Sequence, residues 1–412
     1  MQKILLITSE ALHPKEKVLS VFELSQARIL KIEYGVSILS VRSDGSCVFL
    51  VKSAIKSLLS GKFSYAKNFL LKLSAAILKR RTNVHLIDGI RVYESRHVPF
   101  QSPTNYLNYL DEWLESGNKA FGLYVKREGM PNLIHAHGRF LSAGCLAYKL
   151  RVQFGIPYVY TEHSTLYQAG KAPLESKGIL DRILSSSAAV IGVSSSLLRH
   201  VEMFVGRSIP NAKVIPNVLN PIFERPLNRR GGNPDGIRIL TVAAMEHKKG
   251  LDILLEAFSL KFNRDHHYTL TLVGEGSCRH ELIGLADRLG LSGQVIFKEN
   301  CSNLEICEMM DSVDLFVLPS RIETFGVVVI EALSRGLPVV ATRSGGPEYI
   351  ITEECGILVK PEDIKGLADA MLSAVQRIDS FNREAIRKYA IDRFGSESFL
   401  HSIKNVYNSI LN

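Results

Sequence analysis

Asp314-Leu-Phe-Val-Leu-Pro-Ser-Arg-Ile-Glu323-Thr-Phe-Gly-Val-Val-Val-Ile-Glu331-Ala-Leu-Ser-Arg-Gly336 joins three signals in a short span. Leu315 to Leu318 is an apolar run bounded by Pro319 and Ser320, which reads as a buried strand. A loop carries Arg321 and Glu323. The apolar segment that follows is closed by Gly336 and Pro338, the usual punctuation of a helix end. Val327, Val328, Val329 and Ile330 are β-branched and prefer strands. A buried helix behind a parallel strand tolerates them, and Glu331-Ala-Leu favours helix. The spacing therefore predicts strand, loop and helix.

Such a unit has a use. At about 1.5 Å rise per residue, Glu323 and Glu331 stand about 12 Å apart on related sides of the helix. The N–H groups of Thr324, Phe325 and Gly326 fall at the positive helix end, where a phosphate binds well. The stretch thus suits a molecule with an anionic middle and a hydroxylated group at each end, the layout of a sugar nucleotide. The same pattern also describes a solvated helix face.

The rest of the chain repeats the strand–helix theme twice. Strands are predicted at Ile4 to Thr8, Val36 to Val41, Leu133 to His137, Tyr158 to Tyr160 and Ala189 to Val193, with helices between them. Val84 to Ile87 and Arg91 to Tyr93 read as a strand pair around the Asp88-Gly89 turn. Residues 217–236, rich in Pro and Gly, break the pattern and read as a linker or hinge. Strands then restart at Ile237 to Val242, Thr269 to Val273, Val295 to Phe297, Asp314 to Leu318 and Val339 to Thr342. With 412 residues two domains are expected. Each is a doubly wound parallel α/β sheet, whose ligands bind beyond the carboxyl ends of the strands. Two such sheets facing each other enclose one cleft.

Glu323-x7-Glu331 with Phe325-Gly326 between them resembles the signature of the retaining glycosyltransferases of family four, which have the GT-B fold. The resemblance continues through Val214-Ile-Pro-Asn217, Lys249-Gly250, Leu272-Val-Gly-Glu-Gly276, Gly345-Gly346 and Gly356-Ile-Leu-Val-Lys-Pro361. It implies two Rossmann-like domains around a central cleft. Residues 1–218 are expected on the acceptor side, 219–394 on the donor side, and 395–412 as a helix crossing back to the first domain. Glu331 is then expected to accept hydrogen bonds from ribose hydroxyls, and Glu323 to lie beside the donor sugar as a catalytic group. His163, in Thr161-Glu162-His163-Ser164, takes the place of a histidine near the reacting sugar.

Lys249, followed by Gly250, can meet a diphosphate as a point charge. Gly274-Glu275-Gly276 ends a strand in a tight turn on the donor side; as a lone Gly-x-Gly it is also simply a turn. His135-Ala-His137 places two imidazoles on one strand face, yet no third ligand at metal spacing is evident. No Asp-x-Asp occurs, so metal-independent transfer is expected, with no cofactor beyond the nucleotide-sugar substrate.

Two departures stand out. Ala243-Ala244-Met245 occupies the place of the family's Gly-Arg-Leu, which removes one phosphate ligand; Lys248, Lys249 or Arg321 is available to replace it. The loop from Ser9 to Lys17 lacks the Gly pair often found there, which leaves the acceptor wall least defined. Other activities on this architecture are a phosphorylase or a sugar-nucleotide epimerase. A non-catalytic scaffold holding a partner transferase at a membrane is the third reading.

Net charge is +9 and unevenly spread. From Gly45 to Ile87 there is no Asp or Glu, while Lys52, Lys56, Lys62, Lys67 and Lys72 alternate with apolar residues at helical spacing. Basic amphipathic helices of this kind suit an anionic membrane surface; ordinary surface helices are the plainer reading. Nucleic acid, the other partner for such charge, is not expected, since no aromatic platform or recognition motif accompanies the lysines. No apolar run is long enough to span a bilayer, and the N-terminus reads as a first strand rather than a signal peptide. Six scattered cysteines suit a reducing cytosol. The expected place is the inner face of the cell membrane, held peripherally, with a lipid-linked or glycan acceptor.

Overall fold

The structure is a computed structural model that describes residues 1–8, 21–43, 82–97, 106–228, 236–263, 265–299 and 301–412. Lys52, Lys56, Lys62, Lys67 and Lys72 lie outside the described residues, as does the loop from Ser9 to Lys17.

The first sheet has eight strands in the order β3-β4-β2-β1-β5-β6-β7-β8. They are β1 (Lys3–Thr8), β2 (Gly35–Ser43), β3 (Asn83–Ile87), β4 (Ile90–His97), β5 (Leu133–Gly138), β6 (Tyr158–Glu162), β7 (Ala189–Gly192) and β8 (Ala212–Val214). All pairings are parallel except β3 with β4, which turn on Asp88 and Gly89, both at positive φ. Asp-Gly supports that conformation because glycine carries no Cβ and aspartate tolerates it. Helices α1 (Val21–Leu30), α2 (Tyr106–Glu128), α3 (Ser142–Phe154), α4 (Lys177–Ser186) and α5 (Ser195–Val205) connect these strands.

The second sheet is wholly parallel, in the order β11-β10-β9-β12-β13-β14. Its strands are β9 (Ile237–Val242), β10 (Tyr268–Val273), β11 (Val295–Lys298), β12 (Leu315–Leu318), β13 (Val339–Thr342) and β14 (Gly356–Val359). Helices α6 (Leu251–Phe262), α7 (Arg279–Arg288), α8 (Asn303–Asp311), α9 (Val327–Ser334), α10 (Pro347–Ile350) and α11 (Ile364–Gln376) accompany them. β12 is buried along its length, and so is α9 from Val329 onward. This is why the β-branched run becomes helix. Its side chains are enclosed between the sheet and α12 (Arg383–Phe394), so packing outweighs propensity.

The last helix, α13 (Ser396–Leu411), lies against the first sheet. Phe399, Ile403, Val406 and Tyr407 share one apolar cluster with Ile4, Leu6, Ile38 and Val159. Burial of each such side chain contributes about 1.5–3 kcal/mol, so the return of the tail is driven by apolar area.

Composition reads residues 217–236 as a hinge, but the described part is held fast. Arg335, 0 % exposed, donates to the carbonyls of Phe223, Arg225 and Pro226 at 3.1, 2.6 and 3.1 Å. The same guanidinium makes two bonds to Asp311, at 2.7 and 2.9 Å. Arg387 donates to the carbonyls of Glu224 and Arg225, and the Glu224 carboxylate accepts from Ser396 N and Oγ. Proline and glycine announce a break in the sheet pattern but not that a distant buried arginine takes up the freed carbonyls. Asp311→Ala strands that charge in the interior and is expected to lower stability by about 3–5 kcal/mol. Thermal and denaturant unfolding measure it; a loss under about 1 kcal/mol counts against the clamp.

Candidate active site

In the second sheet the strand order reverses at β9. The chain leaves β9 for β10 and β11 on one side, then returns to place β12 on the other. The crevice beyond the carboxyl ends of β9 and β12 is the topological switch point, where open α/β sheets bind ligands. Lys249 stands after β9 and Glu323 after β12, and they meet: Lys249 Nζ lies 2.5 Å from Glu323 Oε2. The side chains are 19 % and 12 % exposed, so the pair is shielded yet reachable. Ser320 Oγ lies 3.5 Å from the same carboxylate oxygen.

The two loops are locked together below the pair. Arg321 N donates to Lys248 O at 2.8 Å. Gly250 has φ 64°, and a Cβ there would sit 2.1 Å from Pro319 O. Only glycine allows that approach, which explains Lys249-Gly250 as a unit. Glu323 is fixed on its other side by β13's continuation, with its N–H bonded to Ser344 O at 2.9 Å and its carbonyl accepting from Gly346 N at 2.7 Å. Gly345-Gly346 therefore serves close backbone packing, since a Cβ on Gly346 would meet Phe325 Cα at 2.3 Å.

Gly326, with φ 95°, opens α9. Among the described residues no acceptor takes the N–H groups of Thr324, Phe325 or Gly326. They remain as donors at the positive helix end. The Phe325 ring faces away from the crevice: it is 1 % exposed and lies edge-on to Phe394, centroids 5.9 Å apart. Its share in any ligand contact is its backbone.

Glu331, on α9, is 6 % exposed, and no side chain among the described residues pairs with its carboxylate. Burial pushes its pKa up to about 8. Gly274 and Glu275 follow β10. Gly274 lies against Ala243 O, and Glu275 accepts the Met245 N–H at 2.7 Å through its carbonyl, with its side chain exposed. The turn thus supports the Ala243-Ala244-Met245 loop.

Of the residues available to replace the arginine absent at Ala244, two are otherwise engaged. Arg321 is bidentate to Asp252 at 2.8 and 2.7 Å, bonds Glu362 at 2.6 Å and caps His247 O. Its guanidinium is structural. Lys248 is half exposed beside Glu246. Of the three, Lys249 is the one whose ammonium reaches Glu323 at the crevice.

The first sheet has its own switch point between β1 and β5. His163 follows β6 and is buried, with its Nε2 3.2 Å from His137 Nδ1. His137 stacks in turn on His135 at 4.3 Å between centroids. Burial, reinforced by neighbouring positive groups, holds His163 well below the usual histidine range and His137 at about 3, so the row is neutral at pH 7. His135 spends both ring nitrogens on hydroxyls, Tyr407 and Thr161, each at 2.7 Å. That commits it to docking α13 and removes it as a metal ligand.

Sequence reasoning passed over Glu162. Its carboxylate, 1 % exposed, accepts Tyr160 Oη at 2.6 Å and the N–H groups of His163 and Ser164 at 2.9 and 2.7 Å. It shapes the turn that presents His163, and burial lifts its pKa to about 7. An acid beside a candidate histidine was the available signal. The two walls also touch: Ser194 Oγ donates to Thr324 O at 2.7 Å, and Gln168 Nε2 lies 3.4 Å from Glu323 O.

The family model of glycosyl transferases group 1 matches residues 225–393, and that of glycosyltransferase family 4 matches residues 67–221. An uncharacterized glycosyltransferase of Methanocaldococcus jannaschii, MJ1607, is 28 % identical over 340 residues, covering 76 % of this chain and 84 % of its own. Sucrose-phosphate synthase from Thermosynechococcus elongatus superposes with a TM-score of 0.76 at 20 % identity, over 100 % of this chain and 99 % of its own. Anabaena HepE, solved in complex with UDP, gives 0.71 at 19 % identity, over 99 % and 100 %.

Proposed function

The chain is a glycosyltransferase of family 4, with the GT-B architecture, and from that premise we propose that it moves a sugar from a nucleotide-sugar donor to a hydroxyl of a glycan acceptor, with retention at the anomeric carbon. The observation that carries this is the Lys249–Glu323 pair at the switch point, with the N–H groups of Thr324 to Gly326 beside it and Glu331 further along α9. The order is that of a donor laid across the crevice. Glu331 takes the ribose hydroxyls, Lys249 and the helix end take the diphosphate, and Glu323 faces the sugar. HepE's complex with UDP supports a uridine diphosphate donor as the first to try.

In this reading residues 1–218 form the acceptor side, 219–394 the donor side and 395–412 the return helix. The acceptor hydroxyl forms its bond to the anomeric carbon on the face from which the diphosphate departs. The carbon–oxygen bond to phosphate breaks, and its proton passes to the leaving phosphate. The protein contributes position and electrostatics, with Lys249 and the helix N–H groups stabilising the departing charge. His163, neutral and held by Glu162 and His137, bonds a sugar hydroxyl. The reaction needs no metal, so turnover is expected to persist in excess chelator.

A thermal-shift screen against nucleotides and nucleotide sugars tests the donor. A ligand at about a hundred times its dissociation constant adds about 2.7 kcal/mol. A shift confined to one diphosphate family supports the reading; no shift with any of them favours the scaffold.

The acceptor is proposed to be lipid-linked, in cell-surface polysaccharide synthesis at the inner face of the membrane. The support is the acid-free basic stretch around Lys52, Lys56, Lys62, Lys67 and Lys72. Each such residue adds about 1 kcal/mol near an anionic leaflet. Among the described residues no helix is long and apolar enough to cross a membrane. Reversing Lys52, Lys56, Lys62 and Lys67 to Glu is expected to abolish binding to anionic vesicles and leave donor affinity unchanged. Unaltered vesicle binding removes the membrane reading.

A further inference from the structure

Where the chain passes between its two sheets, a cavity of about 210 Å³ opens. Three separate parts of the fold line it. Asn217 belongs to the segment leaving β8, Tyr349 and Arg393 to the second-sheet side, and Ser398 and Ser402 to α13. None of the donor-crevice residues Lys249, Glu323 and Glu331 takes part.

Arg393 is the charged group. Its guanidinium lies 4.6 Å from the Tyr349 ring centroid, 5.2 Å from Phe394 and 5.7 Å from Tyr389, and Nη1 donates to Tyr389 Oη at 2.6 Å. Aromatic faces stabilise a cation but supply no countercharge. Among the described residues no carboxylate pairs with Arg393; burial works against its charge, and Tyr349 and Tyr389 are the groups that outweigh it. A guanidinium has five N–H donors in a fixed fork, so most of them are left over.

Asn217 is the second, independent sign. It is 5 % exposed, and no donor among the described residues reaches its buried Oδ1. A buried amide oxygen without a partner is costly, and structures normally satisfy it. The cavity therefore offers a cation that lacks an anion and an acceptor that lacks a donor, with the serine side chains of α13 on the same wall.

We propose that this cavity is a binding site for a small hydroxylated oxyanion of the hydrogen-phosphate class. Its unprotonated oxygens face Arg393, and its O–H donates to Asn217 Oδ1. Water satisfies the amide and hydrates the half-buried guanidinium but brings it no anionic partner. At about 30 Å³ per water, the space holds several waters or one such ion with companions. Because the walls belong to α13, which packs on the first sheet, and to the second-sheet side, an occupant ties the two together. Binding favours the arrangement that forms the cavity.

The test is calorimetric titration of the full chain with inorganic phosphate, followed by phosphorus NMR. Lys249→Ala removes the donor-crevice cation, Arg393→Met removes the cavity cation, and Ser402→Leu fills the cavity without touching the guanidinium. Saturable binding is expected in the wild type and in Lys249→Ala. It is expected to weaken by about tenfold or more in both cavity variants, the scale of a lost charge-assisted bond. If Arg393→Met does not fold, Ser402→Leu still decides. Phosphate binding that disappears in Lys249→Ala and survives in the cavity variants assigns it to the donor crevice and overturns the proposal, as does the absence of saturable binding in the wild type.

Discussion

Glu323→Gln is expected to leave the chain folded and to lower turnover by about 10²–10³-fold, the scale of removing one preorganised electrostatic group. The loss should fall on kcat, because the proposed donor pose sets Glu323 beside the sugar rather than the nucleotide. Donor affinity should hold or improve, since the substitution frees Lys249 from a 2.5 Å ion pair and leaves it to the diphosphate. Lys249→Ala should instead weaken the donor by about 10- to 100-fold, the value of a hydrogen bond to a charged group. The double variant should fall well short of the product of the two, because paired residues are not additive. Steady-state kinetics with donor binding measured separately resolves all three. Turnover that survives Glu323→Gln within about twofold removes Glu323 from the catalytic machinery. It would leave the chain a binding protein on a transferase scaffold.

Donor affinity should also rise with pH, by about tenfold per unit below pH 8, and level off above it. Glu331 is the cause. Burial raises its folded pKa to about 8 from an ordinary 4.5. The empty pocket therefore holds a protonated carboxyl at neutral pH. Ribose hydroxyls bond best to the ionised form, so donor binding releases the proton, close to one per donor near pH 6.5 and none above about pH 9. Calorimetry in buffers of different ionisation enthalpy counts it directly.

The stability sign follows from the same shift. Between pH 4.5 and about 8 the unfolded chain ionises this group while the folded one keeps its proton. Stability from this residue is thus fully present at low pH and lost as pH rises, by up to about 1.4 kcal/mol per unit. Glu331→Gln should remove both dependences, weaken the donor, and stabilise the empty protein at neutral pH by about 1–3 kcal/mol. A flat affinity profile from pH 6 to 9 sinks the idea.

Much of the architecture was legible because it is written in local pattern. Apolar runs such as Ile4 to Ile7 and Leu315 to Leu318 are too short for helices, and each is followed by helical spacing. That alternation has one good solution, the parallel doubly wound sheet. Asp88-Gly89 specified its turn through backbone sterics alone. Glu323 and Lys249 stood out because each follows a strand that borders the crevice.

Other residues were not legible, and each depends on a partner far away in the chain. Arg321 looked like a spare phosphate ligand until Asp252 and Glu362 closed on it. The 217–236 segment looked slack because nothing nearby shows that Arg335 and Arg387 hold its carbonyls. Nothing near His135 in the sequence announces its partner, Tyr407, which lies 272 residues on and bonds its Nδ1.

The sequence by itself determined the two-sheet plan and the position of the switch-point loops. These follow from hydrophobic period, β-branching and the steric rules of glycine, all of which act within a few residues. Only the tertiary structure decided which charges are spent and which remain at work. Lys249 meets Glu323 and Arg321 is consumed, while among the described residues Glu331 is left buried without a partner and Arg393 without a countercharge. Burial and pairing set the state of a charged group, and both are fixed by segments that only the fold brings together.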